Sequence, residues 1–582
     1  MTSSELPAER ARRRRRLNRA LLLLALATWF VAMLPLAFWG LPTSADNDLL
    51  FGGGPPWPAE RYRSAAALES LRSRRGGADA DLNPLSARDG LIDLTESEAA
   101  RAEILRRYRL YSRQPDEMIT FRALQRMSLR PLDLDPRLYQ YGGAYVYGVG
   151  AALALGHIAG ALDLSSDAAV YLSEPERFAR FYVVARTVSL LFGTAALAGA
   201  YALAARAAGR RAGWLAVLLT AASPVFITQA LEAKPHLPSA CLLVWAAVFA
   251  LRSLERRRKR DALLLGCAGG GALALVLTGA VAALYWPAAW LARHRARGTT
   301  RSGRLGAAAV AALIYCMTNP YVLINAVADR ETLLGNIGNS TAMYSVRQIP
   351  AGAVRTFELL FEGAGPLVAG AGLLGFAWLL WRWPDRTLVA SSAGLGMVVI
   401  GVLLGAGKPA EYARFLVLPV ILLAVAAAAL LANAFRRSAW LARAALALIV
   451  LTQPAPAYLG AFAADAGRTT ESRQLAAWWL RERTGTQEAI GVIQEPAPYS
   501  VPPLDFTRCT VVLLPQREPA DLEAAALPAW LVFTADDERT HASAWWRRHY
   551  RLVHRIPPAG ATLARIAWAN KPVFIYERVD RQ

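Results

Sequence analysis

The stretch FLVLPVILLAVAAAALLANA, Phe415–Ala434, carries no charged residue, and Arg436-Arg437 closes it. About 20 residues of α-helix, rising 1.5 Å each, cross the hydrocarbon of a bilayer, where a charge is costly. Leu17–Gly40 and Val183–Ala205 are similar, long and mostly uncharged. Across 582 residues 55% are hydrophobic, and the mean hydropathy is +0.26, both high for a water-soluble protein. Spanning segments in lipid must satisfy their own backbone groups, and runs of this length do so as helices. The fold class is therefore mainly α: a polytopic helical membrane domain.

The formal charge of +21 would point to nucleic acid if it lay on one soluble face. Instead the arginines gather between apolar runs, at Arg12–Arg16, Arg210-Arg211, Arg256–Arg260, Arg293–Arg304 and Arg436-Arg437. Clusters so placed mark cytoplasmic ends and set orientation. The basic N-terminus, 1–16, is then cytoplasmic, and the first apolar run, too long for a signal peptide and without a cleavage site, is an uncleaved anchor. Positive-inside bookkeeping predicts about eleven passes between 17 and 461, with a large first external loop at 41–181. The stretch 262–292 must leave and return in two short legs turning near Thr278-Gly279. A second external segment follows at 322–364, and Gly405–Arg414 is also external. Tyr139–Gly160 is apolar enough to span, but a pass there would invert every later basic cluster, so it is expected as an external, partly embedded helix.

Beyond 461 the pattern changes. Ser472–Glu482 reads as an amphipathic helix, and Ala489–Gln494, Thr510–Leu514, Trp530–Thr534 and Val573–Glu577 as short strands. A small extracytoplasmic α/β domain is expected over 462–582. The four cysteines show no CxxC or Cys/His ligand spacing and read as buried apolar residues.

Polar chemistry gathers in the external loops. Pro115-Asp116-Glu117 opens a helical pattern, as Pro and acidic residues do in a first turn. Lys234, Lys408 and Arg414 are cations where short external loops usually avoid them, which points to phosphate ligands. Glu232 and His236 flank Lys234 at two-residue intervals. Asp46 and Asp48 form a DxD directly after the first span, a secondary candidate for a divalent metal; nothing else in the pattern calls for a cofactor.

The order of these pieces resembles the GT-C glycosyltransferases, in the branch of the protein O-mannosyltransferases and the aminoarabinose transferases of lipid A. The resemblance runs over about 110–435. It is carried by Pro115-Asp116-Glu117, Tyr139–Tyr147, Arg186, Gly209–Gly213, the loop Glu232–His236, Thr318–Tyr321 and Glu411–Phe415 before Pro419. The resemblance implies an enzyme of the cytoplasmic (inner) membrane that moves a hexose or pentose, with inversion, from a polyprenyl-phosphate carrier. The acceptor would be an extracytoplasmic glycan, lipid or protein. It implies Asp116 as general base with Glu117 in support, and Lys234, His236, Lys408, Arg414, Glu232 and Tyr141 around the substrate and its phosphate. The chain departs from the pattern in a large insertion at 46–108, in His236 where relatives often carry Asp, and in lacking a lysine near Thr278-Gly279. Two other classes compete: a lipid-carrier flippase or transporter, which would show inverted repeats and midplane charges, and an inactive membrane scaffold.

Overall fold

The computed structural model describes residues 5–62, 90–128, 130, 132–256, 258–295, 302–467, 471–485, 488–535, 544–557 and 564–579. The chain is mainly helical, with one small sheet near its C-terminus. Six helices are long and apolar enough to cross a membrane: Arg12–Phe38, Pro175–Ala208, His236–Arg256, Pro384–Gly405, Ala410–Arg437 and Ala439–Gly467. Two bent pairs raise the number to eight if each is one span: Arg210–Ala221 with Pro224–Ala230, bent by 68°, and Ile349–Ala364 with Pro366–Arg382, bent by 110°. The chain is an integral membrane protein. Eight of the eleven expected passes coincide with these helices. The other three, placed at 262–292 and 305–321, fall on shorter helices: Lys259–Leu275, Leu277–Ala292 and Leu305–Thr318.

Both bends follow from sequence. Pro224 and Pro366 each begin the second helix of a pair, where a ring without an N–H is tolerated, and Gly365 before Pro366 takes φ +86°. A broken helix in lipid leaves carbonyls without donors. Gln453, in the turn between Ala439–Thr452 and Ala455–Gly467, answers both breaks. Its Nε2 donates to Ala222 O and to Ala364 O, each at 2.8 Å. Gln453→Leu strands both carbonyls and should cost about 1–3 kcal/mol, read as a lower thermal midpoint of the detergent-solubilised protein. An unchanged midpoint would mean that other donors already cap these ends.

Close helix contacts rest on small residues, since lipid gives no hydrophobic drive for helix association. Gly266 and Gly270, one turn apart on Lys259–Leu275, lie directly on the backbone of Ala307 and Ala311 in Ser302–Thr318. Any side chain there would push the helices apart.

The tail forms the expected α/β unit, with helix Ser472–Arg481 and a six-stranded sheet. Its strands are β1 Ile92–Asp93, β2 Ala489–Val492, β3 Thr510–Leu513, β4 Trp530–Thr534, β5 Tyr550–Ile556 and β6 Val573–Arg578, in the order β1-β3-β2-β4-β6-β5. The middle trio β3-β2-β4 is parallel; β1, β6 and β5 join antiparallel. Strands β2, β3, β4 and β6 are the ones expected from sequence; β1 and β5 are additions. Strand β1 comes from the insertion at 46–108, and Leu94 N donates to Val511 O at 2.8 Å. The segment after the first span and the tail therefore share one sheet and one apolar core. The rest of that segment includes helix Glu117–Arg126, whose Phe121 packs edge-on against Phe178 and Tyr182. It also includes helix Gly143–Ile158, as expected for the Tyr139–Gly160 region.

Candidate active site

Residues 112–117 lie between the end of the first span and the C-terminal unit. Arg113 N donates to Gly40 O at 2.8 Å. Its guanidinium reaches Asp465 at 2.5 Å and Glu471 at 3.3 Å, and Arg473 meets Glu471 at 3.1 Å. Asp465 also accepts from Gly40 N at 3.0 Å and Asn570 N at 3.1 Å. This buried group of charges fastens the loop from one side. Three residues on, the acidic pair divides into two different environments.

Glu117 is wholly buried and fully engaged. Its two oxygens take the fork of Arg186 at 2.8 and 2.7 Å, the Ser112 hydroxyl at 2.6 Å and the Ala233 N–H at 2.7 Å. Arg186 Nη1 donates to Ala37 O and Trp39 O, at 2.8 and 2.5 Å. Glu117 thus joins the first span, the second span and the loop before His236. None of these partners is Asp116, to which Glu117 is joined through the backbone.

Asp116, by contrast, leaves 23% of its side chain exposed. One oxygen, Oδ2, faces Arg414 Nη1 at 2.6 Å and Lys234 Nζ at 2.9 Å. Burial would raise this carboxyl, but Lys234 and Arg414 hold it well below the usual carboxylate range. Gln114 shapes the turn: its Oε1 accepts from Asp116 N at 2.6 Å, and its Nε2 faces Glu232 at 3.4 Å. Glu232 accepts from Gln229 at 2.7 Å and lies 3.6 Å from Lys234. Burial pushes Glu232 up to about 7 although Lys234 and Arg414 oppose the rise, with Glu117 and Glu411 adding repulsion.

The remaining candidates fall around this centre. The His236 ring packs edge-on against Phe415 at 4.9 Å and Tyr141 at 6.2 Å. Burial and the charge of Asp116 raise the Tyr141 hydroxyl well above its ordinary value. Tyr141 is held by backbone pairing with Val276, and beside it Gly142 and Gly143 touch the backbone of Ala274 and Thr318, which no side chain would permit. His236, Thr278, Met397, Arg414 and Phe415 help line a cavity of about 10 Å³, the room of one water. Lys408 stands apart from the other cations. Its ammonium meets the Tyr412 ring at 5.3 Å, and Arg414 lies 4.9 Å from that same ring.

The structure puts Asp46 and Asp48 elsewhere. Asp46 accepts from Gln474 at 2.8 Å and Asp48 pairs with Arg481 at 2.5 Å. Both carboxylates dock the tail helix. Among the described residues no three His, Cys, Asp or Glu side chains gather as a metal set, and the DxD does not fit a resident metal.

Sequence reasoning missed Gln114, Gln229 and the Arg113–Asp465–Glu471–Arg473 group. Neutral amides carry no topological signal. Two acidic partners of Arg113, Asp465 and Glu471, lie more than 350 residues away, the first 352 positions on.

Comparison with known proteins places this site in context. No curated protein matches the chain. Similar solved structures include ArnT from Cupriavidus metallidurans bound to undecaprenyl phosphate, at 14% identity and TM-score 0.44, covering 96% of this chain and 97% of that one. Another is the oligosaccharyltransferase of Archaeoglobus fulgidus in the apo form, at 17% identity and TM-score 0.40, covering 75% of this chain and 62% of that one. Residues 180–321 match the family described as dolichyl-phosphate-mannose-protein mannosyltransferase. Over that segment, which holds Arg186, Lys234 and His236, the chain is similar to that family.

Proposed function

We propose that this protein transfers a sugar from a polyprenyl-phosphate carrier to an extracytoplasmic acceptor, in the inner membrane, with the N-terminus cytoplasmic and the tail outside. The observation that carries this reading is the convergence of Lys234 and Arg414 on one partly exposed carboxylate, Asp116, at the ends of spanning helices. Two cations and a base within one cluster are what displacement of a phosphate by a hydroxyl or amine requires.

In the reaction, Asp116 takes the proton from the acceptor O–H or N–H, and the freed electron pair attacks the anomeric carbon. The bond from that carbon to the phosphate oxygen breaks on the opposite face, inverting the centre. The polyprenyl phosphate leaves with the bonding pair, its charge met by Lys234 and Arg414. Lys408, across Tyr412, faces the arriving anion, while His236 and Tyr141 form an aromatic wall. Glu232 sets the position of Lys234. No step is routed through a metal, because Asp46 and Asp48 are engaged by Gln474 and Arg481.

Binding of undecaprenyl phosphate in detergent, followed by native mass spectrometry, tests the assignment without knowledge of sugar or acceptor. Lys234→Ala and Arg414→Ala should each weaken it by roughly 10- to 100-fold, the value of a charged hydrogen bond at about 1.5–3 kcal/mol. Lys408→Ala should weaken it less. Wild-type affinity in both of the first two variants would rule out the phosphate site.

A further inference from the structure

The cations assigned to the carrier phosphate already face a protein carboxylate. Lys234 and Arg414 are buried, and each turns a donor to Oδ2 of Asp116, at 2.9 and 2.6 Å. That same carboxylate is the proposed base. A carboxylate oxygen held by two cations is a poor proton acceptor, because protonation would cost both ion pairs. Donor capacity around it is also unused: Arg414 Nε is buried without a hydrogen-bond partner. The site is wired for an anion, and in its absence a protein carboxylate occupies that place.

We propose that Asp116 stands in for the carrier phosphate and is masked as a base until the phosphate arrives and draws Lys234 and Arg414 away from it. The inference rests on the functional reading above and adds an order to it: donor first, then deprotonation of the acceptor. The donor's phosphodiester carries one negative charge over two non-bridging oxygens and can accept from both cations at once, and as the sugar leaves it becomes a monoester with more charge and a third strong acceptor oxygen for them. The groups around Asp116 fit the exchange. Gln114 fixes its backbone N–H, and Arg186 holds Glu117 independently. His236 and Tyr141 stay packed on rings. Glu232, beside Lys234, keeps a carboxyl group at that ammonium while Asp116 is released. The exposed quarter of the Asp116 side chain marks the side from which an acceptor can approach. An enzyme so built does not deprotonate bound acceptor, or activate water, while no donor is present.

Carbodiimide labelling of the full-length protein reads this directly, since only a protonated carboxyl reacts. Mass spectrometry of the peptide containing Asp116, over a pH series, gives the midpoint of its titration. Undecaprenyl phosphate should raise that midpoint by about 1–3 pH units, the usual effect of losing a nearby opposite charge; undecaprenol, which lacks the phosphate, should leave it in place. Lipid-free Lys234→Ala and Arg414→Gln should each move it part of the way. Undecaprenyl phosphate bound, by native mass spectrometry, with the midpoint unmoved would overturn the masking and leave the functional reading standing. Failure of the lipid phosphate to bind at all would overturn both.

Discussion

Asp116→Asn should lower sugar transfer by at least about 10²-fold and, at the same time, tighten the binding of the lipid phosphate. The first effect follows from general-base assistance, which contributes about 10²–10⁴-fold, or about 3–5 kcal/mol of barrier. The second follows from the geometry. Asn removes the charge that Lys234 and Arg414 share at 2.9 and 2.6 Å, so an incoming phosphate no longer competes for them. Coupling between two such ligands is typically 1–3 kcal/mol, so the gain should be at least about fivefold. The amide is nearly isosteric and partly exposed, and it keeps an acceptor oxygen, so the fold should survive. Titration with undecaprenyl phosphate separates the alternatives. Weaker binding in Asp116→Asn would make Asp116 part of the donor site and sink its role as masked base. Undiminished transfer would remove it from the chemistry altogether.

The membrane helices were legible because hydrophobic length and basic punctuation are local properties of the chain. Lys234 and Arg414 stood out for a related reason: on the expected topology they fall where short external loops avoid cations, and in the fold both meet Asp116. The same reasoning could not distinguish Lys408 from Lys234. Both are external lysines in sequence, yet one is buried at a carboxylate and the other lies over an aromatic ring. The acidic pair was visible as a pair but not as two roles, because what separates Asp116 from Glu117 is a buried arginine 69 positions further on. Asp46 and Asp48 looked like a metal motif since their partners, Gln474 and Arg481, lie 428 and 433 positions away. Strand β1 has only two residues, too few for any period, and exists because β3 offers it an edge. Strand β5 carries Arg551, His554 and Arg555 among its apolar residues, as an edge strand does, which hides the alternation.

Glu117→Gln should act on folding. Its carboxylate and the Arg186 guanidinium are both wholly inaccessible and meet through two bonds of 2.8 and 2.7 Å. Removing one member of a buried pair leaves the other charged and unmatched, at a cost of about 3–5 kcal/mol. Against a typical total of about 5–15 kcal/mol, the variant should give little folded protein or a much lower thermal midpoint. The damage would spread, because Arg186 also holds Ala37 O and Trp39 O, and Trp39 Nε1 donates to Leu231 O at 2.9 Å. One unpaired guanidinium therefore loosens the first span, the acidic loop and the approach to Lys234 together. Arg186→Met alone should be comparably harmful, since it strands the carboxylate. The double variant Glu117→Gln with Arg186→Met should be less unstable than the sum of the two, the coupling reaching the upper part of the 0.5–3 kcal/mol range seen for contacting residues. Recovery would stay incomplete because the Ala37 and Trp39 carbonyls remain without their donor. If Glu117→Gln instead melts like the wild type and loses transfer, Glu117 must reach the substrate, and the base belongs to it rather than to Asp116.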